Sequence, residues 1–282
     1  MKKFFLMAAF AAMLVPFTAC NNKDGVRAQI PAASNSANAK KVELSIPAPV
    51  KDGKSITSFE FTDGGRYILS LVETKASDET YETGSYTFAN GVYTLEGFGT
   101  IAIDGNNVTI TATGEAAVQT TGTVADTSNN LSEMAQTWSV DKIDVSINTG
   151  NGNIGFVKNG CDLEEIATEI IAQAEKMGVK VEIDLGQFKG ATIKYVSFSS
   201  SKTIMVEFTN GLVFVGDLSG VITDAEAYAF HYELKNEGND LINASADCRF
   251  IPKSDKTAYF TVNVDLDNDN KGRVMFIMTK IS

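Results

Sequence analysis

Three groups of residues have the types and spacing to do chemistry. Gly150-Asn151-Gly152-Asn153-Ile154-Gly155 spells G-x-G-x-x-G, with Glu182 and Asp184 downstream. That spacing lets a loop cradle a pyrophosphate when the motif itself opens a helix, so that backbone amides and the helix dipole meet the phosphates. Here the helical pattern starts seven residues after Gly155. The preceding segment alternates polar and apolar residues, which a buried parallel strand does not. The motif reads as a flexible loop. Asp265, Asp267 and Asp269 stand at i, i+2 and i+4, followed by Asn270 and Gly272. Carboxylates so placed in a turn suit Ca2+, which takes about six to eight oxygens. However, the glycine and the bidentate glutamate of an EF-type loop are replaced by Asn270 and Phe276. A polar hairpin tip is the favoured reading, and Ca2+ is the one cofactor left open.

The third group is a Cys161–His231 dyad. His231 is the sole histidine, in the strand-like run Tyr228-Ala229-Phe230-His231-Tyr232. Zinc would need more His or Cys than the chain offers. Cys161 precedes a helix start, where a thiol pKa is lowered. No third group is in sight to orient the pair, so a structural histidine is the default. The chain has no G-x-S-x-G, no H-E-x-x-H and no P-loop. Glycosidase carboxylates are usually distant in sequence and stay open; Glu164-Glu165 and Asp78-Glu79 read as solvated faces. Tyr67, Tyr81, Tyr86, Tyr93, Phe98, Phe230 and Tyr232 have the chemistry to stack on sugars or line a lipid pocket. Core and cross-strand pairing use the same residue types, and most of these aromatics read as core.

The elements that position these residues begin with a leader. Lys2 and Lys3 precede an uncharged apolar run, Phe4 to Val15, too short to span a bilayer, and Pro16 ends it. Phe17-Thr18-Ala19-Cys20 resembles the lipobox of bacterial lipoproteins, with Phe17 where leucine is usual. The resemblance implies cleavage before Cys20 and lipidation of Cys20, which makes residues 1–19 a signal peptide. Two or more acyl chains hold a protein on a membrane firmly. Lys23-Asp24 resembles the lysine-plus-acid signal of Bacteroidetes-type surface lipoproteins, which implies an outer-membrane location with display at the cell surface. Residues 20–41 read as the lipidated N-terminus and a flexible tether.

Net charge is −11, and loss of Lys2 and Lys3 with the leader takes it to −13. Such a body is repelled by nucleic acid and gains nothing from anionic lipid, so the lipid is the only membrane contact expected. Of three cysteines, Cys161 and Cys248 remain beside Cys20. An exported protein permits a disulfide between them; two buried free thiols are the alternative.

From Val42 the chain reads as an antiparallel β meander. Asp63-Gly64-Gly65, Asn90-Gly91 and Asp104-Gly105 each sit between β-branched or aromatic runs, a strong hairpin signal. Residues 114–130 read as a loop, so residues 42–130 form a first β unit and 131–282 a second. The second opens at Trp138. It carries one helix, 162–177, with Asp162 as cap, an apolar stripe from Leu163 to Met177 and Gly178 as stop. Some eight strands follow. Glu60-Phe61-Thr62-Asp63-Gly64 echoes Glu207-Phe208-Thr209-Asn210-Gly211; this reads as hairpin grammar rather than duplication.

One strand with a tryptophan, a helix and a run of antiparallel strands resembles the lipocalin-like domains of gut Bacteroidetes lipoproteins. Gln136-Thr137-Trp138 stands where lipocalins have Gly-x-Trp. The resemblance implies a calycin-like barrel, with a β-sandwich as the alternative, and a basic residue packed across Trp138: Arg273 first, Arg249 second. The fold expected is therefore mainly β, a meander followed by a lipocalin-like barrel or sandwich with one inserted helix. The function expected is a non-catalytic binding module for a small apolar ligand or a glycan. A subunit of a surface assembly with an unknown protein partner is the first alternative, and a carboxylate glycan hydrolase the second.

Overall fold

The computed structural model describes residues 20–21, 39–73, 79–125, 131–148, 152–178, 185–218, 222–223, 227–235, 243–254, 256–267 and 270–281. The chain is mainly antiparallel β with a single α-helix among the described residues, and it divides into two units. A barrel unit takes Thr18–Thr137 together with Ser197–Met205; a sheet unit takes Trp138–Val196 and Val206–Ile281. Among the described residues no helix is long and apolar enough to cross a membrane.

After a two-residue strand β1 (Cys20–Asn21), the barrel unit holds β2 (Lys40–Pro49), β3 (Lys54–Phe61), β4 (Arg66–Glu73), β5 (Glu79–Ala89), β6 (Val92–Leu95), β7 (Gly99–Asp104), β8 (Asn107–Ala112) and β9 (Val118–Val124). Each strand pairs with the next, and β9 returns to β2 through Val42↔Val124 and Leu44↔Gly122. This is an eight-stranded up-and-down closed barrel, which leaves no open edge around the ring. The closed barrel thus lies in residues 40–124, ahead of Trp138 rather than after it. The hairpins form because their turn residues supply positive φ: Asn90 and Gly91 stand at 52° and 80°, as a two-residue primed turn requires.

Two differences from the sequence expectation concern closure. Residues 118–124 form β9 rather than a loop. Their few large apolar side chains give no strand signal, but β8 and β2 offer hydrogen-bonding edges on both sides. Gly122 is required there, because a Cβ would stand 2.6 Å from Val42 Cγ1 and 2.9 Å from the Glu43 carbonyl oxygen. The tether reading to residue 41 also runs two positions too far, since β2 begins at Lys40.

The sheet unit contains β10 (Thr137–Asn148), β11 (Asn153–Asn159), α1 (Leu163–Lys176), β12 (Ile193–Phe198), β13 (Thr203–Phe208), β14 (Leu212–Asp217), β15 (Ile222–Thr223), β16 (Tyr228–Lys235), β17 (Asn243–Pro252), β18 (Thr257–Asp267) and β19 (Asn270–Lys280). Its strands run β14-β13-β12-β10-β19-β18-β17-β16-β15, with β11 pairing to β10 off that path. The Asp162 side chain accepts from the Glu165 amide at 3.0 Å and caps α1; Gly178 follows at φ 74°. The buried stripe is Leu163, Ile166, Ala167, Ile170 and Ala174.

Strand β11 occupies part of what reads as a Gly/Asn loop. Gln173 of α1 holds it: its Oε1 accepts from the Gly155 amide at 3.2 Å and its Nε2 donates to the Gly155 carbonyl at 3.4 Å. A side-chain amide here does the work of a neighbouring strand, which protects the edge.

Candidate functional site

The barrel's inner face follows from register. Directly opposed residues of antiparallel strands point to the same face. Leu69 is fully buried, and its partners are Phe59 on β3 and Glu82 on β5. The inward rows are therefore Ile56, Phe59 and Phe61 on β3; Tyr67, Leu69 and Leu71 on β4; and Thr80, Glu82, Gly84, Tyr86 and Phe88 on β5. The centre is filled. Phe61 and Tyr93 stack with centroids 3.7 Å apart, and Tyr86 packs tilted on both, at 5.1 and 5.7 Å. Burial pushes the Tyr93 hydroxyl up to about 12. Tyr67, Tyr86, Tyr93 and Phe98 are thus core, as their sequence context favours, whereas Phe88 at one end is 39% exposed.

One inward position breaks the apolar pattern. Glu82 faces the interior beside Leu69, near the end of the barrel bearing the Lys51-Asp52-Gly53-Lys54 turn. Loss of water raises its pKa above the ordinary glutamate value, and the positive charges of Lys51 and Lys54 act against that rise. No described residue donates a hydrogen bond to it. Beside it in the inward rows lies buried Leu69, and one step nearer that end lie buried Ile56 and Leu71.

A second polar cluster, also within the barrel unit, involves the β3–β4 turn and residues 197–205. Glu60, Thr62, Asp63, Arg66, Ser85, Ser199 and Ser200 are all buried. Ser201 Oγ donates to Glu60 Oε1 at 2.5 Å, and the Ser200 amide donates to Asp63 Oδ2 at 2.8 Å. Arg66 Nη1 donates to Ser85 Oγ at 2.8 Å, and the Tyr86 hydroxyl donates to the Thr62 carbonyl at 2.9 Å. Burial raises the pKa of Asp63, and its hydrogen bonds from Ser200 oppose this without cancelling it. The Ser199-Ser200-Ser201-Lys202 turn thus delivers donors to both carboxylates. No sequence signal marks Glu60 and Asp63, and each is engaged by the fold.

The residues singled out from sequence are dispersed. Cys20 lies in β1, and its side chain is outside the described residues. Cys161 and Cys248 are both free and buried, so the disulfide does not form. Cys161 sits between β11 and α1, its carbonyl taken by the Ile193 amide at 2.9 Å, whereas Cys248 is held mid-strand between Phe230 and Val262. The Cys161 thiol is not activated. Burial, and then the adjacent Asp162, push its pKa well above the ordinary thiol value, which removes the nucleophile from the proposed dyad. His231 lies on β16 opposite Asp247.

Asp265 and Asp267 lie on β18, opposite Lys271 and Asn270 across a bulge; Asp269 is outside the described residues. Among the described residues no three His, Cys, Asp or Glu side chains group to hold a metal. Trp138 and Arg273 are not brought together. Trp138 is opposite Lys280 and meets Phe250 edge-on at 5.2 Å, while Arg273 is opposite Ser146 and its Nη2 lies 3.6 Å from Asp144 Oδ2. The two stand seven steps apart along the ladder, about 23 Å at ~3.3 Å per residue. Arg249 is exposed opposite Ala229 and Thr261. Of the G-x-G-x-x-G motif, Gly150 and Asn151 are outside the described residues, and Gly155 lies within antiparallel β11, which excludes a helix-opening phosphate loop.

No protein-family model and no curated protein matches the chain. Among solved structures, one similar chain is a protein of unknown function from the DUF3598 family of Nostoc punctiforme, at 7% identity over 86% of this chain and 94% of that one, with a TM-score of 0.24. Another is the isotype 1 transferrin binding protein B from serogroup B Neisseria meningitidis, at 11% identity over 80% of this chain and 53% of that one, with a TM-score of 0.22.

Proposed function

We propose that the chain is a lipid-anchored envelope protein whose barrel unit is a non-catalytic binding module. The observation that carries this reading is Glu82. An inward carboxylate costs stability, and one to which no described residue donates a hydrogen bond is best explained by a ligand that does. The filled aromatic centre argues against engulfing an apolar molecule, so the ligand sits at the barrel end. Glu60 and Asp63 do not suit a hydrolytic pair, because both are buried and held by Ser201 and Ser200. The anchor rests on Cys20 and the leader before it: Cys20→Ser should move the chain from the membrane fraction to the soluble one.

Native mass spectrometry of the full chain, extracted gently from a bacterial envelope, tests the binding role. The expected result is a discrete excess mass that is lost on denaturation and on Glu82→Gln. A bare chain mass would overturn the reading, and a stable dimer or higher oligomer would favour the assembly subunit instead.

A further inference from the structure

Among the described residues β11 pairs with β10 and with no other strand, so one of its edges is open. The Gly155 amide and carbonyl turn away from β10 and meet Gln173. The Ser146–Gly155 pair therefore exchanges no hydrogen bonds across the ladder. Bonded and non-bonded pairs alternate, so Val157 and Asn159 turn their amides and carbonyls outward as well. No described residue bonds these groups. The Val157 side chain is 60% exposed, and its row, Asn153, Gly155, Val157 and Asn159, carries no charge. Natural edges are blunted by a charge, a proline or shortness; β15, at the far end of the sheet, is two residues long. Lys158 does not blunt β11, because it lies on the other face and bonds Glu165 Oε1 at 2.7 Å. The guard of this edge is Gln173.

Symmetry and charge decide which strand fits. The outward groups at 155, 157 and 159 lie evenly about Val157. A two-fold axis at Val157 sets it against Val157 of a second copy, and Gly155 against Asn159, each pair exchanging both its bonds. A net charge of −11 makes two copies repel over most of their surface, and an uncharged row is where they can meet. The acid opposite Val157 on β10, Asp144, has Arg273 Nη2 at 3.6 Å, and the charge opposite Asn159 is basic Lys142. Gln173 must release Gly155, but its Nε2 also donates to Glu169 Oε1 at 2.8 Å and keeps that bond. Backbone bonds thus replace side-chain bonds at Gly155. Such pairing is weak in free solution and gains where chains are crowded in one plane by a lipid anchor.

We propose that β11 is a self-association edge: two copies of this chain join antiparallel about Val157, with Gln173 as the releasable guard. The edge is separate from Glu82 and goes beyond the binding-module reading.

Register-specific cross-linking in the Cys20→Ser chain is the test. Cys161 and Cys248 are buried, so an introduced surface thiol is the one that reacts. Val157→Cys at high concentration should form a linked dimer on mild oxidation, because residues opposed in a bonded pair lie about 5.5 Å apart, within disulfide reach. Asn159→Cys alone should not link, but should link when mixed with Gly155→Cys. A Cβ at Gly155 is tolerated, since its nearest neighbour is the Val145 carbonyl oxygen at 3.9 Å. By sedimentation, Gln173→Ala should tighten association about ten-fold or more, and Val157→Lys should abolish it while the far-UV spectrum is unchanged. Self-linking of Asn159→Cys as fast as that of Val157→Cys, no tightening by Gln173→Ala, or a monomer at every concentration of both parent and Gln173→Ala would overturn the proposal. A link from Val157→Cys to a different envelope protein, with no linked dimer, gives the edge to a foreign strand and overturns it too. The parent stays a monomer at the dilution of native mass spectrometry, and Val157→Lys should keep any Glu82-dependent ligand mass, so this edge and the binding module fail separately.

Discussion

Gly84 offers a sharp test of the register that turns Glu82 inward. It is two residues along the same inward row, and the Tyr67 ring lies over it. A Cβ at Gly84 would stand 2.6 Å from Tyr67 Cε1, 2.8 Å from its Oη and 2.9 Å from Cζ. Tyr67 is 1% exposed, and its hydroxyl donates to the Glu96 carbonyl at 2.9 Å. In Gly84→Ala the ring must therefore move. Overpacking of this kind costs about 1–3 kcal/mol, and loss of the Glu96 bond adds about 1 kcal/mol. The expected loss is thus about 2–4 kcal/mol. Tyr67→Ala should itself cost about 3–5 kcal/mol, but in that background Gly84→Ala should cost less than about 0.5 kcal/mol, a coupling of about 2 kcal/mol. Urea titration followed by tyrosine near-ultraviolet circular dichroism is the assay, since the one tryptophan, Trp138, belongs to the sheet unit. A Gly84→Ala cost under about 0.5 kcal/mol, or one that is the same with and without Tyr67, would refute both the register and the inward placement of Glu82.

Four further outcomes follow from the geometry. Glu82→Leu should raise stability by about 0.5–2 kcal/mol, since it removes a desolvated charge from an apolar row, and a loss of stability would contradict the dominance of that desolvation over the pull of Lys51 and Lys54. For Asp63, the native pKa lies above the ordinary 3.8, so in the window above that value the native state holds the proton more firmly than the unfolded chain. Its contribution to stability is then lost as pH rises through the window; Asp63→Asn should gain on the parent from the ordinary aspartate range towards neutrality, and a constant difference would refute this. Lys202 sits at φ 65°, so Lys202→Gly should stabilise the barrel unit by about 1 kcal/mol by urea titration, relieving the left-handed strain of a side-chain-bearing residue. In a Cys20→Ser chain, Cys161 and Cys248 should resist a thiol reagent when native, burial having pushed the latter's pKa up to about 12, and both should react on unfolding; absence of reaction in denaturant would restore the disulfide.

What was legible in the sequence was what is local. Asn90-Gly91 and Asp104-Gly105 mark hairpins because their backbone demands are met within a few residues. Asp162, Glu165 and Gly178 bound the helix for the same reason. Strand β9 was hidden because Val118-Gln119-Thr120-Thr121-Gly122 has no strand pattern of its own and is extended only by its two neighbours. Glu82 was hidden by a boundary. Tyr81-Glu82-Thr83-Gly84 has no apolar alternation of its own, whereas β5 from Glu79 puts Glu82 in phase with Tyr86. The carboxylate cluster lies beyond any local reading, since Ser200 and Ser201 are separated from Asp63 and Glu60 by 137 and 141 residues. Trp138 and Arg273 show the converse: a plausible pair by type is parted by ladder register.

Residues 197–205 have a consequence for how the molecule is made. The barrel unit is discontinuous along the chain, so a ribosome or export channel that releases the N-terminus first delivers all eight barrel strands well before the serine turn. In that interval Glu60 lacks the Ser201 donor and Asp63 the Ser200 donor that they hold in the finished fold. The nascent barrel should therefore remain tolerant of water at this point and be a natural place for a chaperone to wait, and its last stabilising contacts should appear only after Met205 has emerged. A chain stopped at Thr137 would have every strand of the ring and yet unfold more readily than the same ring in the whole protein.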